Sequence, residues 1–560
     1  MFLPTTKSEL KKLGWSKLDI ILVTGDTYID SPFMGIAVIG QVLLDKGYRV
    51  GIIAQPDTKS DKDITRLGKP SLFWGISGGA IDSMVANYTA LKKRRKKDDY
   101  TPGGINNNRP DRAVIAYTNL VKRYFKSSVP IVLGGIEASL RRISHYDFWS
   151  NKIRRSILFD AKADFLVFGM GEKTIVDLAY HLKNNLDVTN IKGMGYISKT
   201  GVPGYIEMPS FEEVSADKKK FTDSFHTFYN NNDPITAKGL IQKHGTRYLV
   251  LNRVQRPLLT KELDAVYNLD FRRDVHPFYK KEGEVRALLT IKFSISAHRG
   301  CYGQCNFCAI GIHEGSTVTW RSEQSILDEA VTISNLKDFK GVILDVGGPT
   351  ANMYGFECKK KLKKGICKDK RCLFPNVCKS LNPDHSALIN LLAKLKKIRG
   401  VKKVFTGSGV RHDLILDDKK YGYRYLLAII KDHVSGQMKL APEHSEQNIL
   451  NLMGKSNIST IVDFKKSFDK ITKKIGKKQF LTYYLIAAHP GCTIKDMRQL
   501  KNFTKKELQI NPRQVQIFTP TPSTYSSLMY YTLNDPFSGS TIFVEKDLKK
   551  KEQQKKTITG

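Results

Sequence analysis

ALLTIKFSISAHRGCYGQCNFC, residues 287–308, runs from an apolar, β-branched stretch directly into three cysteines, Cys301, Cys305 and Cys308. The stretch reads as a buried strand that ends at the glycine-containing turn. The next cysteine is Cys358. Downstream the pattern of strand and strand-end turn recurs in GVILDVGG (341–348), KKVFTGSG (402–409), VSGQMKLAPEH (434–444), FLTYYLIAAHPG (480–491) and VQIFTPTPS (515–523). Helix-compatible segments such as SEQSILDEAVTISNLK (322–337) and SALINLLAKLKKIRG (386–400) separate the strands. Six β/α repeats predict a partial or complete barrel over 286–540, with its chemistry at the C-terminal strand ends. The cysteine triplet follows the first of those strands.

Upstream, DIILVTGD (19–26), RVGIIAQP (49–56), SLFWGIS (71–77), PIVLGG (130–135) and DFLVFGMGE (164–172) are short buried-strand patterns. Amphipathic segments such as IAVIGQVLLDKG (36–47) and RAVIAYTNLVKRYF (112–125) lie between them. This alternation predicts an α/β fold, a doubly wound parallel sheet over residues 1–209. Residues 210–285 show less periodicity and read as a connecting region, and 541–560 as a basic flexible tail.

At 560 residues the chain exceeds one core and divides into several domains. No apolar run approaches the ~20 residues of a membrane span, and MFLPTTKSELKKLGW is mixed and polar, unlike a secretory signal. The expectation is a soluble, cytoplasmic protein with no membrane partner. The formal charge of +37 suits acidic partners such as RNA, but the lysines are spread along the chain and fit a solvated surface equally well.

Seven of the eight cysteines lie between residues 301 and 378. In a reducing compartment such crowding points to metal or redox chemistry, not to disulfides. Common zinc sites and ordinary iron–sulfur clusters close at four protein ligands. Three thiols on one loop can instead hold three irons of a [4Fe–4S] cubane and leave the fourth open. Two alternatives stand beside this: a closed Cys3His zinc site through His313, or a cluster completed by Cys358. Neither explains why the loop caps the first strand of a β/α series.

Cys-x3-Cys-x2-Cys with Phe307 before the last cysteine resembles the signature of radical S-adenosylmethionine (SAM) enzymes. YIDSPFMG (28–35), QPD (55–57), DSMVANYTA (82–90), YTPGG (100–104), RPDRAVIAY (109–117) and LGGIEASLRR (133–142) extend the likeness, as do GVILDVGGPTANMYG (341–355), FTGSGVRHDL (405–414), MKLAPEH (438–444), YYLIAAHPGCT (483–493) and QIFTPTPS (516–523). In this order they are similar to the YgiQ family of radical SAM proteins. The resemblance implies a [4Fe–4S] cluster whose open iron is chelated by SAM, reductive cleavage of SAM to a 5′-deoxyadenosyl radical, and an electron donor such as flavodoxin or ferredoxin. It places Gly347 and Gly348 against the SAM amino group, with Pro349 where many members carry glutamate. Ser408 and Arg411 would reach the SAM ribose or carboxylate, and Glu443 a ribose hydroxyl. Tight strand-end turns and a solvent-facing ion pair explain these three equally well. The substrate is not implied. RNA methylthiolation is one alternative function, and a non-catalytic zinc-containing RNA-binding protein another.

ECKKKLKKGICKDKRCLFPNVC (357–378) carries Cys358, Cys367, Cys372 and Cys378 on a lysine-rich insertion too poor in apolar residues to form a core. A metal is expected to fold it, as a second iron–sulfur cluster or a zinc. Cys492 reads as a small buried residue. A parallel sheet before a radical SAM barrel resembles the cobalamin-binding arrangement, whose fingerprint is Asp-x-His-x-x-Gly. Asp30-Ser31-Pro32-Phe33-Met34-Gly35 has proline in the histidine place, which argues against cobalamin. Glu137, Arg141, Arg142 and His145 follow the Gly134–Gly135 pair, either to receive an anionic substrate or to brace the two domains.

Overall fold

A computed structural model describes residues 1–126 and 129–560. The chain forms two compact units, one of residues 1–257 and 265–292, the other of 258–264 and 293–560. Among the described residues no helix is long and apolar enough to cross a membrane.

The first unit is built on a nine-stranded sheet. Ile20–Thr24 is the sequence IILVT, and all five residues are buried, the pattern of a strand covered on both faces. Val50–Ala54 and Phe73–Ser77 flank it in parallel, followed by Ile131–Gly134 and Phe165–Val167. Numbered along the chain, these five strands lie in the order 2-1-3-4-5, a doubly wound topology with its switch point between Ile20–Thr24 and Phe73–Ser77. The sheet then turns antiparallel through Met194–Ser198, Arg247–Leu251 and Leu240–His244, and Ile206–Met208 adds in parallel at the edge.

Strands therefore continue beyond residue 209, and 210–285 is not a separate linker. Leu240–His244 and Arg247–Leu251 pair as a hairpin inside the sheet. Further on, Asp274–Val275 pairs with Ile29–Asp30, and the Tyr279 hydroxyl accepts from the Ala54 amide at 2.8 Å. The weak periodicity of this region reflects the shortness of many of its elements, such as the strand Asp274–Val275 and the helices Phe211–Ala216 and Pro277–Lys280.

In the second unit six parallel strand positions follow one another: Ser294–Ser296, Val342–Ile343 with Asp345–Gly347, Lys403–Val404, Gln437–Glu443, Phe480–Ala487 and Gln516–Ile517. Neighbours pair in parallel throughout, with Val410 bridging to Leu440 between the third and fourth. This is the expected (β/α)6 partial barrel. Its core joins Ile295, Val346, Val404 and Leu440 from the strands to Leu392 and Phe464 from the helices. The helix Ser459–Ile475 shows how the sequence builds that layer. Ile461, Phe464, Phe468 and Ile471 recur at helical spacing on the buried side, and Gly476 ends the helix at φ +70°.

Two boundaries differ from the sequence reading. Ala287–Ile291 is a helix, and only Ser294–Ser296 is strand. Ala287, Leu288 and Ile291 pack into the core of the first unit, so the apolar run 287–297 serves two cores in two conformations. The terminal residues are not a free tail either. Leu548–Thr559 is a helix lying against Ile494–Lys506, with Lys551, Gln554 and Ile558 buried along one face.

Candidate metal centre and SAM site

The first barrel strand delivers the chain to the cysteine loop, and the loop's base is fixed twice. His298–Arg299 pairs antiparallel with Thr319–Trp320, and the Cys301 amide donates to Gly315 O at 3.2 Å. Gly300 turns the chain at φ +82°, where a Cβ would stand 2.3 Å from Thr317 O. Asn306 anchors the far side. Its amide donates to Met453 O at 2.8 Å, its side-chain amide to Leu452 O at 2.8 Å, and its carbonyl accepts from Ser526.

This anchoring brings two of the three thiols, those of Cys301 and Cys305, beside Gly303. Its amide donates to Cys301 Sγ at 3.4 Å, and a Cβ there would stand 3.3 Å from Cys301 Sγ, 3.5 Å from Cys305 Sγ and 3.7 Å from Arg411 Nη1. Glycine thus leaves the space between two sulfurs clear. Burial pushes the Cys301 and Cys308 thiols up, and the charge of Cys305 adds to both shifts. A bound cation is the ordinary way to hold such a set as thiolates. Among the described residues no three ligating side chains converge on a single ion. A cubane makes no such demand, because each thiolate binds a different iron. The donor set and the clear space fit an iron–sulfur cluster.

Arg411 lies beside this loop, its Nη1 4.0 Å from Cys305 Sγ. Its guanidinium is clamped by the Asp413 carboxylate, with Nε donating at 2.9 Å and Nη2 to the second oxygen. Burial alone would lower the Arg411 pKa, but Asp413 outweighs it and keeps the cation. The Arg411 backbone is held on both sides by Asn352, which accepts from its amide at 2.8 Å and donates to its carbonyl at 3.0 Å. Asn352 also donates to His385 Nε2 at 3.1 Å, and His385 Nδ1 donates to Asp418 Oδ2 at 2.8 Å. Asp418, His385 and Asn352 therefore form a buried chain of hydrogen bonds that positions Arg411.

Burial alone would raise the Asp418 carboxyl, but bonds from His385 and Tyr421 outweigh it and hold the pKa at about 2. Because the folded value lies below the ordinary 3.8, this stabilisation is present above about pH 4 and lost as pH falls through about 2. Asp418→Asn is expected to destabilise the protein by about 1–3 kcal/mol at neutral pH. Its deficit against wild type should shrink between about pH 4 and 2. Urea unfolding across that range checks this, and a deficit independent of pH would count against it.

The other sequence-predicted residues are distributed as follows. Gly347 ends the second strand, and Gly348 packs so closely on His298 that a Cβ would lie 2.6 Å from its Nε2 and its carbonyl oxygen. Ser408 turns to Asp345: both its amide and its hydroxyl donate to that carboxylate, joined by the Gly407 amide at 2.7 Å. The tight strand-end turn is thus the observed state of Ser408. Glu443 is buried, not solvent-facing as the ion-pair reading expected. It sits at φ +68°, with Lys455 Nζ 3.8 Å away. Burial raises its pKa, and Lys455 and Arg411 partly oppose the rise. Phe307 meets His489 edge-on, ring centres 6.3 Å apart, and packs against the apolar group that contains Ile449, Met453 and Leu485. Cys492 is buried in the same group, with Sγ near Gln554 Oε1 at 3.5 Å.

Asp345, Asn352, Lys455 and His298 escaped the sequence reading. Asp345 had a signal, an acidic residue two positions before a strand-end glycine pair. The others become visible only through partners distant in sequence.

In the first unit, Arg109 Nη1 donates to Asp26 Oδ1 at 2.6 Å and to Gly78 O at 3.0 Å, and Arg109 Nη2 pairs with Asp98 at 3.0 Å. These groups sit at the ends of the two strands that flank the switch point, where such sheets ordinarily take a ligand. Gly25 approaches Gly78 so closely that a Cβ would meet its carbonyl oxygen at 2.2 Å. Glu137 and Arg141 are likewise committed, Glu137 to the Ser83 amide at 2.9 Å and Arg141 to Asp82. Arg142 is buried against the Phe168 and Phe228 rings, and His145 is buried with Nδ1 on Ile143 O. All four make these contacts within the first unit. Asp30 accepts from Gln41, Tyr28 and the Arg272 amide.

The comparisons with known proteins agree with this architecture. The family model for the radical SAM N-terminal region matches residues 2–294. A UPF0313 protein of Fusobacterium nucleatum is 58% identical over all of this chain and 98% of its own length. A UPF0313 protein of Thermotoga petrophila is 49% identical over 100% of this chain and 98% of its own. Among solved structures, the radical S-adenosylmethionine methyltransferase TsrM from Kitasatospora setae, with cobalamin and a [4Fe-4S] cluster bound, aligns at a TM-score of 0.51 and 12% identity, over 91% of this chain and 74% of that one. That likeness is one of fold. Sheet, barrel and family match define a radical SAM enzyme. Within that class, the chain belongs to the UPF0313 family, also known as YgiQ.

Proposed function

We propose that Cys301, Cys305 and Cys308 hold a [4Fe–4S] cluster with one open iron and that the chain cleaves SAM reductively, directing the resulting radical onto a substrate not yet assigned. The observation that carries this reading is the clear space at Gly303, bounded by Cys301 Sγ, Cys305 Sγ and Arg411 Nη1. When bound, such a cluster supplies a chelation point for the amino and carboxylate groups of SAM and the one electron that breaks its sulfonium–carbon bond to give methionine and a 5′-deoxyadenosyl radical. Arg411 keeps a permanent positive charge beside Cys305, and the Asn352 chain holds it in place. Gly347 and Gly348 present bare backbone beside His298 for the SAM amino group. Phe307 and its apolar neighbours keep water from one side of the loop. A one-electron donor of the flavodoxin or ferredoxin type completes the reaction, in keeping with a cytoplasmic location.

Anaerobic reconstitution of the full chain with iron and sulfide, followed by dithionite and SAM, is expected to release 5′-deoxyadenosine. An intact cluster that releases none would overturn the reading. We further propose that the first unit takes no cobalamin. The Arg109–Asp26 ion pair occupies the strand ends at the switch point, and Pro32 offers no cobalt ligand. Dialysis against hydroxocobalamin should leave no retained cobalt.

A further inference from the structure

The cysteine-rich insertion has a defined shape. Cys358, Cys367, Cys372 and Cys378 all line one small open pocket, together with Gln304 and Leu381. Four thiols separated by eight, four and five residues have thus been brought to a single place. The local structure accounts for this. The short helix Lys359–Lys364 begins immediately after Cys358, and its Lys361 is buried. Lys361 Nζ pairs with Glu357 Oε1 at 2.9 Å and donates to Ser316 O at 2.8 Å. The Cys378 amide then donates to Cys372 O at 2.8 Å, closing the second half of the loop.

This void adjoins the triplet loop. Gln304, which lines it, lies between Cys301 and Cys305 in the chain, and its carbonyl accepts from Arg371 Nη1 at 3.1 Å. Cys301 from one group and Cys358 and Cys372 from the other pack on the same apolar cluster around Tyr302. Lys361 Nζ lies 4.9 Å from the centre of the Tyr302 ring.

We propose that Cys358, Cys367, Cys372 and Cys378 bind a second iron–sulfur cluster, fully ligated by protein and adjacent to the triplet. Three observations favour a cluster over a single zinc ion. Four cysteines, with no histidine among them, line one pocket. A cubane takes one thiolate at each of four separated irons. The spacing also lacks the Cys-x2-Cys knuckles that bring zinc ligands together. Four thiolates make the assembled group an anion, and Lys360, Lys370 and Arg371 line the same void. With every iron ligated by protein, this site has no open position for SAM, which separates its chemistry from that of the triplet.

The test is iron and sulfide analysis of the full chain after anaerobic reconstitution. Wild type is expected to hold about eight irons per chain, and the Cys301→Ala/Cys305→Ala/Cys308→Ala variant about four, with an EPR signal appearing on one-electron reduction by dithionite. The converse variant, Cys367→Ser/Cys372→Ser, is expected to hold about four irons, all on the triplet. Triplet-variant protein with wild-type circular dichroism but no iron, or with zinc in its place, overturns the proposal. So does a converse variant that keeps about eight irons. Because the readout is metal content in a chain lacking the triplet, it is independent of whether SAM is cleaved.

Discussion

Alanine at any one of Cys301, Cys305 or Cys308 is expected to lower 5′-deoxyadenosine release by roughly 10³-fold or more, as when one member of a catalytic unit is lost. The reason is geometric. Asn306 ties the loop to Met453, Leu452 and Ser526, so no other part of it can shift to replace a lost ligand. The cysteines of the insertion line a pocket of their own. Iron content should fall by about half, the insertion keeping its own cluster. Cys492→Ala is the control. That thiol is buried, with Sγ on Gln554 Oε1 and His444 Nε2 and apolar side chains around it, and its removal should reduce stability by about 1–2 kcal/mol while leaving nucleoside release unaltered. Release that survives a single triplet substitution, with product quantified against a no-SAM blank, would defeat the assignment.

The triplet was legible in the sequence because its ligands are local: three thiols on one loop announce themselves whatever the rest of the chain does. The barrel and the parallel part of the sheet were legible for a similar reason, each strand being a short apolar run ending in glycine, proline or polar residues. What escaped depends on contacts between distant residues. Ser408 turns to a carboxylate 63 positions earlier, and the chain from Asp418 to Arg411 joins four separate turns of the backbone. The helix Leu548–Thr559 was hidden by its lysines. Lys551 lies fully buried along its stem, with Nζ donating to the Tyr530 hydroxyl at 2.9 Å, so a residue that reads as solvent-facing belongs to an interior face. The apolar run 287–297 misled in the opposite sense, because periodicity alone does not separate a short buried helix from a strand.

Arg109→Met is expected to be among the most damaging substitutions in the first unit, lowering its stability by about 3–5 kcal/mol. Arg109 is fully buried, and it neutralises two carboxylates at once, Asp26 and Asp98, which are 1% and 4% exposed. Burial raises the Asp26 pKa, and the Arg109 cation is the largest influence opposing that rise. Methionine matches much of the side-chain volume, so the deficit would report lost charge compensation and not a cavity. The expected urea midpoint is lower by roughly 1–2 M. Trp15, Trp74 and Trp149 lie in the first unit and only Trp320 in the second, so tryptophan fluorescence follows the relevant transition. Adding Asp26→Asn and Asp98→Asn to Arg109→Met removes the stranded charges and should restore much of the loss. If the triple variant is no more stable than Arg109→Met, the arginine acts by filling the crevice beside Gly78 and not by balancing the two carboxylates.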